Sequence, residues 1–549
     1  MITYIRRFDL KLDGLLVLIL FLAGFLRFYN LNWDQGNFFH PDERNIAAAV
    51  SRIDFFENLN PQFFAYGGFS IYLARVVGEL LRLTTNHSGW VSDWGKIDLV
   101  SRFVSALASL FTVLTTFFLA KNLFDKKTGL LAAFLITFFP TLIQSAHFGV
   151  TESLITLLVT LIALVSLKLS DRFSWRLVFF LAVLLGVGLS TKTSALSFYL
   201  FPIVVLLFRS KRLGASRVFL SIYSLLVLSI LTFFVFSPYS FLDWQKFRES
   251  MLYESGVVVG RLKVVYVLQF ENTYPYFFQV KNFFWQIGPV FFLSLVGLFY
   301  AVYRVVFYRQ LKLLAFLLFP VFYFLYVGSW YAKFIRYMVP IIPFLAVLGA
   351  FALREGVRAN KRFGLGVALV FLVLTAFGGL SFFSIYTRPQ TRIAASEWIY
   401  DNISPGARIL QEHWDDGLPV PMGGLRTPEV YSIEQLAIYD ADNQQKALYY
   451  SERLAEGDYV VISSRRLYGT LINLPHPYPL TSRYYKLLFQ GDLGYKKISE
   501  FSSYPGFLGI TINDDGSEET FQVYDHPKVI IFENSRHYRA EQILARLTQ

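Results

Sequence analysis

Through the first 385 residues, apolar side chains come in long runs separated by short polar stretches. Runs of this length, too long for strands, are what a bilayer demands of a helix, at roughly 20 residues per crossing. Candidate spans are 12–28, 99–120, 128–144, 153–169, 176–190, 196–208, 218–236, 284–303, 313–327, 338–353 and 363–385. Two long segments interrupt the series, 29–98 and 237–283. In the first, Ile46, Val50, Ile53 and Phe56 recur at helical spacing, which predicts an amphipathic helix along the membrane surface. The stretch 66–83 is apolar enough to be a further span. Counting it would invert the charge pattern downstream, so it is read as a helix lying in, or dipping into, the interface. From residue 386 the pattern changes. Residues 395–402, 444–455 and 536–547 read as helices, and 408–414, 459–463 and 521–532 as extended. The expected fold is an all-α polytopic membrane domain, 1–385, with about eleven transmembrane helices plus interfacial helices. A small extracytoplasmic α/β domain follows, 386–549.

Charge fixes the expected orientation. The chain carries +12 overall, but residues 386–549 hold 16 Lys+Arg against 21 Asp+Glu, so the first 385 residues carry +17. The basic residues gather in alternate short loops: Lys121, Lys126 and Lys127; Lys168 and Arg172; Arg209, Lys211, Arg212 and Arg217; Arg304 and Arg309; Arg354, Arg358, Lys361 and Arg362. Basic loops stay inside, so the N-terminus is expected in the cytoplasm and the tail outside, in a multi-pass protein of the cell membrane. This distribution gives no support to a nucleic-acid partner. Arg6, Arg7 and Lys11 before an apolar run imitate a signal peptide, but Ala23-Gly24-Phe25 is no cleavage site, and the run is read as a retained first helix. With no cysteine, neither disulfides nor thiolate chemistry enter.

The candidate chemistry lies in the loops expected outside. Phe39-His40-Pro41-Asp42-Glu43-Arg44 puts two adjacent carboxylates just after the first helix, where they are costly unless used. The plain alternative makes Asp42 an N-cap, with Glu43 favoured by the helix dipole. Lys192, in Ser190-Thr191-Lys192-Thr193, and Lys333 and Arg336, in Trp330-Tyr331-Ala332-Lys333-Phe334-Ile335-Arg336-Tyr337, are cations where the topology wants few. Each either anchors the interface or holds an anionic headgroup, a task that suits the planar fork of Arg. His147 and Glu152 bracket a short loop. His40, His87 and His147 lack metal-ligand spacing, so no metal site and no cofactor is expected. His413-Trp414-Asp415-Asp416-Gly417 reads as a strand end entering a turn.

A first membrane helix followed by His40-Pro41-Asp42-Glu43 resembles the C-type membrane glycosyltransferases. The similarity is to the branch of protein O-mannosyltransferases and bacterial aminoarabinose transferases, which use polyprenyl-phosphate sugars. Residues 100–106, 148–153, 189–193 and 336–343 fit that branch, as do 389–392, 396–399 and Val523-Tyr524-Asp525-His526-Pro527 in the tail. His413–Gly417 is similar in part to the Trp-Trp-Asp-Tyr-Gly motif of oligosaccharyltransferases, departing at two of five positions. The resemblance implies transfer of one sugar from a polyprenyl-phosphate donor to a hydroxyl acceptor on protein, lipid or glycan, inverting the anomeric carbon, with membrane lipid as the other partner. It casts Asp42 as base beside Glu43, Lys192, Arg336 and Lys333 as phosphate ligands, and His147 and Glu152 as groups orienting sugar or acceptor. The alternative from another class is a lipid-linked-sugar flippase or transporter, whose site is expected near mid-membrane instead.

Overall fold

The computed structural model describes residues 10–549. Arg6 and Arg7, part of the N-terminal charge argument, lie outside the described residues. The chain divides into two compact units. The first contains the N-terminal helix with His40–Leu262 and Thr273–Phe383, and the second contains Trp33–Phe39, Lys263–Asn272 and Ser384–Gln549.

In the first unit every apolar run falls on helix. Seven described helices are long and apolar enough to cross a membrane, or eight if one bent pair is a single span. The chain is an integral membrane protein. Run 284–303 is corrected: the helices are Phe277–Ile287 and Val290–Tyr308, parted at Gly288-Pro289. The 66–83 stretch forms the helix Gly68–Thr85, which is not among the seven. The surface helix runs Pro41–Ser51 and ends before Phe56, which is fully exposed, whereas Ile46, Val50 and Ile53 are buried.

Burial is inverted relative to a water-soluble helix. Along Trp94–Leu123, Ser105, Ser109, Thr112 and Thr116 face inward while Phe103, Leu107, Phe111 and Phe118 are exposed. Lipid outside leaves the interior as the place for polar groups. The hydroxyls turn back onto their own helix, as in Thr116 Oγ1 to the Thr112 carbonyl at 2.7 Å. Close packing uses small residues: a Cβ at Gly297 would lie 2.1 Å from the Leu348 carbonyl oxygen.

The bent pair shows how a broken helix is tolerated at depth. Lys126–Thr137 and Pro140–His147 meet at 60° because Pro140, opening the second helix, cannot continue the first. The break orphans the carbonyls of Ile136 and Thr137. Arg27, fully buried, donates to both at 3.2 Å, and also to Ala23 O at 3.1 Å and Ser109 Oγ at 2.8 Å. One guanidinium fork thus closes a helix end that water cannot reach.

The second unit builds a five-stranded sheet from β1 Arg408–Glu412, β2 Ser432–Leu436, β3 Tyr459–Ile462, β4 Tyr495–Phe501 and β5 Val529–Asn534. The order is β2-β1-β3-β5-β4; β1 is parallel to β2 and β3, and β5 is antiparallel to both its neighbours. Leu410, Val460 and Phe532 lie in one row of the register and fill the core with Tyr450, Tyr484 and Tyr485. Helices Thr391–Asn402 and Gln444–Glu456 lie where the sequence puts them. The extended run 521–532 shortens to β5, since Glu519–Phe521 is a 3-10 turn, and the last helix begins only at Ala540. His526 is clamped between Asp514 at 2.7 Å and Asp525 at 2.6 Å, and Tyr386 donates to the same Asp525 at 2.8 Å.

Replacing Arg27 by Leu should cost about 2–4 kcal/mol of stability, from two carbonyls left unpaired in a dry interior. Unfolding in detergent measures it, and a loss below about 0.5 kcal/mol would contradict this account.

Candidate active site

The site begins at the Pro41–Ser51 helix. His40 is its N-cap: Nδ1 accepts from the Asp42 amide at 3.2 Å, which corrects the reading of Asp42 as cap. Pro41 opens the helix with the φ it already has. Asp42 and Glu43 then follow in the first turn, about 100° apart around the axis, so they leave on different faces.

Glu43 turns inward and is wholly buried. Arg102 grips it with two parallel bonds, Nε to Oε1 at 2.8 Å and Nη2 to Oε2 at 2.7 Å, and the Gly149 amide donates to Oε1 at 2.5 Å. Arg102 also donates to the Leu31 carbonyl at 2.9 Å. Gly149 must be glycine here, since a Cβ would meet the Ser101 Cβ at 2.7 Å. Glu43 is therefore a joint between three segments, and its oxygens are taken by protein.

Asp42 turns the other way and is ion-paired with Arg336. The Tyr66 hydroxyl stands beside it. Burial, the largest effect, pushes the Asp42 pKa up, but the Arg336 guanidinium and the Tyr66 hydroxyl outweigh it and hold the carboxyl well below the usual carboxylate range. Burial pushes His40 down, to the neutral form that its role as cap acceptor requires. About a fifth of the Asp42 side chain remains accessible, 19%, so a ligand can reach it.

Beside this pair lies a second one. Lys192 Nζ donates to Glu152 Oε1 at 3.0 Å and sits 5.8 Å from the rings of both Tyr66 and Tyr337. Lys192 terminates the Trp175–Thr191 helix, where the Gly67 amide donates to the Thr191 carbonyl at 3.0 Å. A Cβ at Gly67 would lie 2.0 Å from the Ser190 carbonyl oxygen, so only glycine brings Tyr66 this close to Lys192. Glu152 Oε2, Thr151 Oγ1 and Arg336 Nε are buried without a hydrogen-bond partner among the described residues. Acceptors and a donor left open beside two ion pairs mark a place for a polar ligand.

The remaining candidates divide. Lys333 is buried, with Nζ donating to its neighbour's carbonyl, Tyr331 O, at 2.9 Å and lying 5.4 Å over the Tyr331 ring. His147 is buried too, its ring nitrogens on the carbonyls of Ile143 at 2.8 Å and Tyr29 at 2.9 Å. Both ring nitrogens are engaged within the fold. Sequence reasoning missed Tyr66 and Glu254. Glu254, on the helix Trp244–Val258, lies in the field of Arg336, Asp42 and Lys192, and burial pushes its pKa up. It sits in the long segment 237–283, the only signal that pointed its way. In the other unit, Asp415 is more than a turn residue: its side chain is buried, ion-paired with Arg392 at 3.3 Å and accepts from Ser464. Among the described residues, no group of three or more His, Asp or Glu side chains could hold a metal ion.

Glu43→Gln should destabilise the fold by about 3–5 kcal/mol, because it strands the buried Arg102 charge. Glu43→Gln with Arg102→Met should recover much of that loss. Equal instability of the single and double variants in thermal unfolding would refute the joint.

Comparison with known proteins adds two findings. Residues 94–241 match the family described as dolichyl-phosphate-mannose-protein mannosyltransferase. No curated protein matches the sequence. Among solved structures, the archaeal oligosaccharyltransferase AglB from Archaeoglobus fulgidus, in complex with an inhibitory peptide and a dolichol-phosphate, is similar at TM-score 0.54 and 14% identity, over 92% of this chain and 76% of that one. Its apo form is similar at TM-score 0.54 and 14% identity, over 93% and 76%. ArnT from Cupriavidus metallidurans bound to undecaprenyl phosphate is similar at TM-score 0.45 and 13% identity, over 96% and 98%. The resemblance read from the sequence is borne out: this chain has the fold of the C-type membrane glycosyltransferases, and its residues 94–241 carry the protein mannosyltransferase pattern.

Proposed function

We propose that this protein transfers a single sugar from a polyprenyl-phosphate-linked donor to a hydroxyl acceptor at the outer face of the cell membrane, with inversion. The observation that carries this reading is Asp42, a carboxylate held ionised and reachable within a cluster that also contains Arg336 and Lys192. The fold-sharing oligosaccharyltransferase complexed with dolichol-phosphate supports a lipid-phosphate ligand. The alternation of basic loops supports the outer face and a cytoplasmic N-terminus.

In this scheme the acceptor oxygen attacks the anomeric carbon opposite the phosphate. The bond from that carbon to the phosphate oxygen breaks, and its electron pair leaves with the phosphate. Asp42 takes the acceptor proton. A phosphate departs as an anion and needs no general acid, only cations; Arg336 and Lys192 supply them. Lys333, engaged with Tyr331, fixes the segment that carries Arg336 rather than meeting the ligand. Glu43 positions Asp42 through the Arg102 joint. Glu152 holds Lys192 in place, and its open oxygen is available to a sugar hydroxyl. Donor phosphate competes with Asp42 for Arg336. Engaging the donor therefore loosens the grip that keeps the Asp42 pKa low, and makes it a better base when it is needed.

Two measurements test this. Purified protein in liposomes, given a panel of polyprenyl-phosphate sugars and mixed acceptors, should release free polyprenyl phosphate and glycosylate an acceptor. Asp42→Asn should lower turnover by roughly 10³-fold or more with donor binding retained. Near-normal turnover would sink the base assignment, and release by wild type with no sugar on any acceptor would sink the transferase. In pH profiles, kcat/KM, which reports the free enzyme, should hold on the acid side down past the ordinary carboxylate pKa of about 4. The acid limb of kcat should lie at higher pH, because the bound donor draws Arg336 away. Coincident limbs would contradict that exchange.

A further inference from the structure

The helix Phe277–Ile287 wears its polarity on the inside. Gln279, Asn282 and Gln286 are fully buried, while Phe277 is 67% and Phe284 49% exposed. Spaced by three and four, the three amides form one row along the helix. Asn282 returns a bond to the Phe278 carbonyl at 2.9 Å. Gln279 and Gln286 do not: all four of their amide atoms are buried without a hydrogen-bond partner among the described residues. A lone buried amide calls for an explanation; two in a row, each lacking both donor and acceptor partners, call for the same one.

The surroundings narrow it. The helix packs against Pro140–His147, which buries Gln144 and Ser145, and against the 3-10 turn Ile335–Ile341, which carries Arg336. Its start is tied down by the Tyr276 amide on the Gly328 carbonyl at 3.1 Å, and its end by the break at Gly288-Pro289. It is a held element, and Gln279 and Gln286 are fully buried on it. Uncharged amides that need both a donor and an acceptor are satisfied by hydroxyl groups, which are both; a phosphate, only an acceptor, leaves the carbonyl oxygens unmet.

We propose that the Gln279–Gln286 face is a binding site for hydroxyl groups inside the membrane unit, filled either by ordered water or by the hydroxyls of a sugar presented beside Arg336. The sugar source rests on the function proposed above; the water source does not. Gln279 lies at the end of the helix nearer the Gly328 junction and takes the first hydroxyl, and Gln286, about 10 Å further along the axis, continues the row.

The test uses the full chain in lipid nanodiscs and reads binding rather than turnover, so it survives failure of the transfer reaction. Affinities are measured for undecaprenyl phosphate and for undecaprenyl phosphates carrying mannose, glucose, galactose or aminoarabinose, in wild type, Gln279→Leu and Gln279→Asn. A sugar in the site predicts that Gln279→Leu weakens a sugar-bearing lipid about tenfold or more relative to the bare lipid phosphate, with partial recovery in Gln279→Asn. In parallel, X-ray footprinting of wild type modifies buried residues where bound water adjoins them; the reporters are Phe283, buried on the same helix, and Met338, buried on the 3-10 turn that packs against it. Their modification in wild type, reduced in Gln286→Leu, identifies water as the occupant. An unchanged affinity ratio together with unmodified Met338 and Phe283 means dry, empty amides, and overturns the proposal.

Discussion

The Glu43–Arg102 pair is the constraint on which the rest of the site depends. It is buried, bidentate and completed by a backbone amide, so neither ion can be removed without stranding the other. Because Glu43 is locked, the helix turn that bears it cannot rotate, and Asp42 on the next position is aimed away from it by geometry alone. The pair also fixes Gly149, three residues before Glu152, and so sets the start of the helix that pairs with Lys192. A carboxylate whose oxygens are both held by protein thereby orients Asp42 and Glu152.

What it orients is two ion pairs in a low-dielectric setting. Arg336 and Asp42 lie 294 positions apart in the chain, Lys192 and Glu152 40 apart. Isolated, each charge would be prohibitively costly beneath a membrane surface; paired, they remain charged yet exchangeable. In the reaction proposed above, an incoming anion takes over cations that are already charged, and the carboxylate released in the exchange gains basicity, so that ligand binding and base activation become one electrostatic event.

How much of this the sequence disclosed follows from the kind of signal each feature has. The apolar runs were legible because lipid imposes length and composition on each segment independently of its neighbours. Asp42, Glu152, Lys192 and Arg336 were legible as charges in the wrong place, and the structure brings them together. His147 broke no rule of pairing once folded, because its partners are backbone carbonyls, which carry no sequence signature. Glu43 and Asp42 look alike in sequence; only Arg102 and Gly149, distant in the chain, decide which faces inward. In the tail, β2 and β4 escaped detection because both are edge strands with a polar pattern, Ser432–Leu436 and Tyr495–Phe501, whereas β1, β3 and β5 are central and mostly buried.

Helix ends and broken helices supply the site. Asp42 and Glu152 stand in first turns, Lys192 follows a last turn, and Arg336 lies in a 3-10 turn before the helix Ile342–Ala359. The reason is general. A continuous helix satisfies its own backbone and can be coated in lipid, whereas an end exposes amides or carbonyls that must be met by side chains, as Arg27 meets those of Ile136 and Thr137. A layer where several helices end is therefore already polar, and charged side chains are least costly there. Such a layer needs dedicated partners at every orphaned group, and a position left without one is a position for a ligand. The open Glu152 and Arg336 atoms lie at such ends.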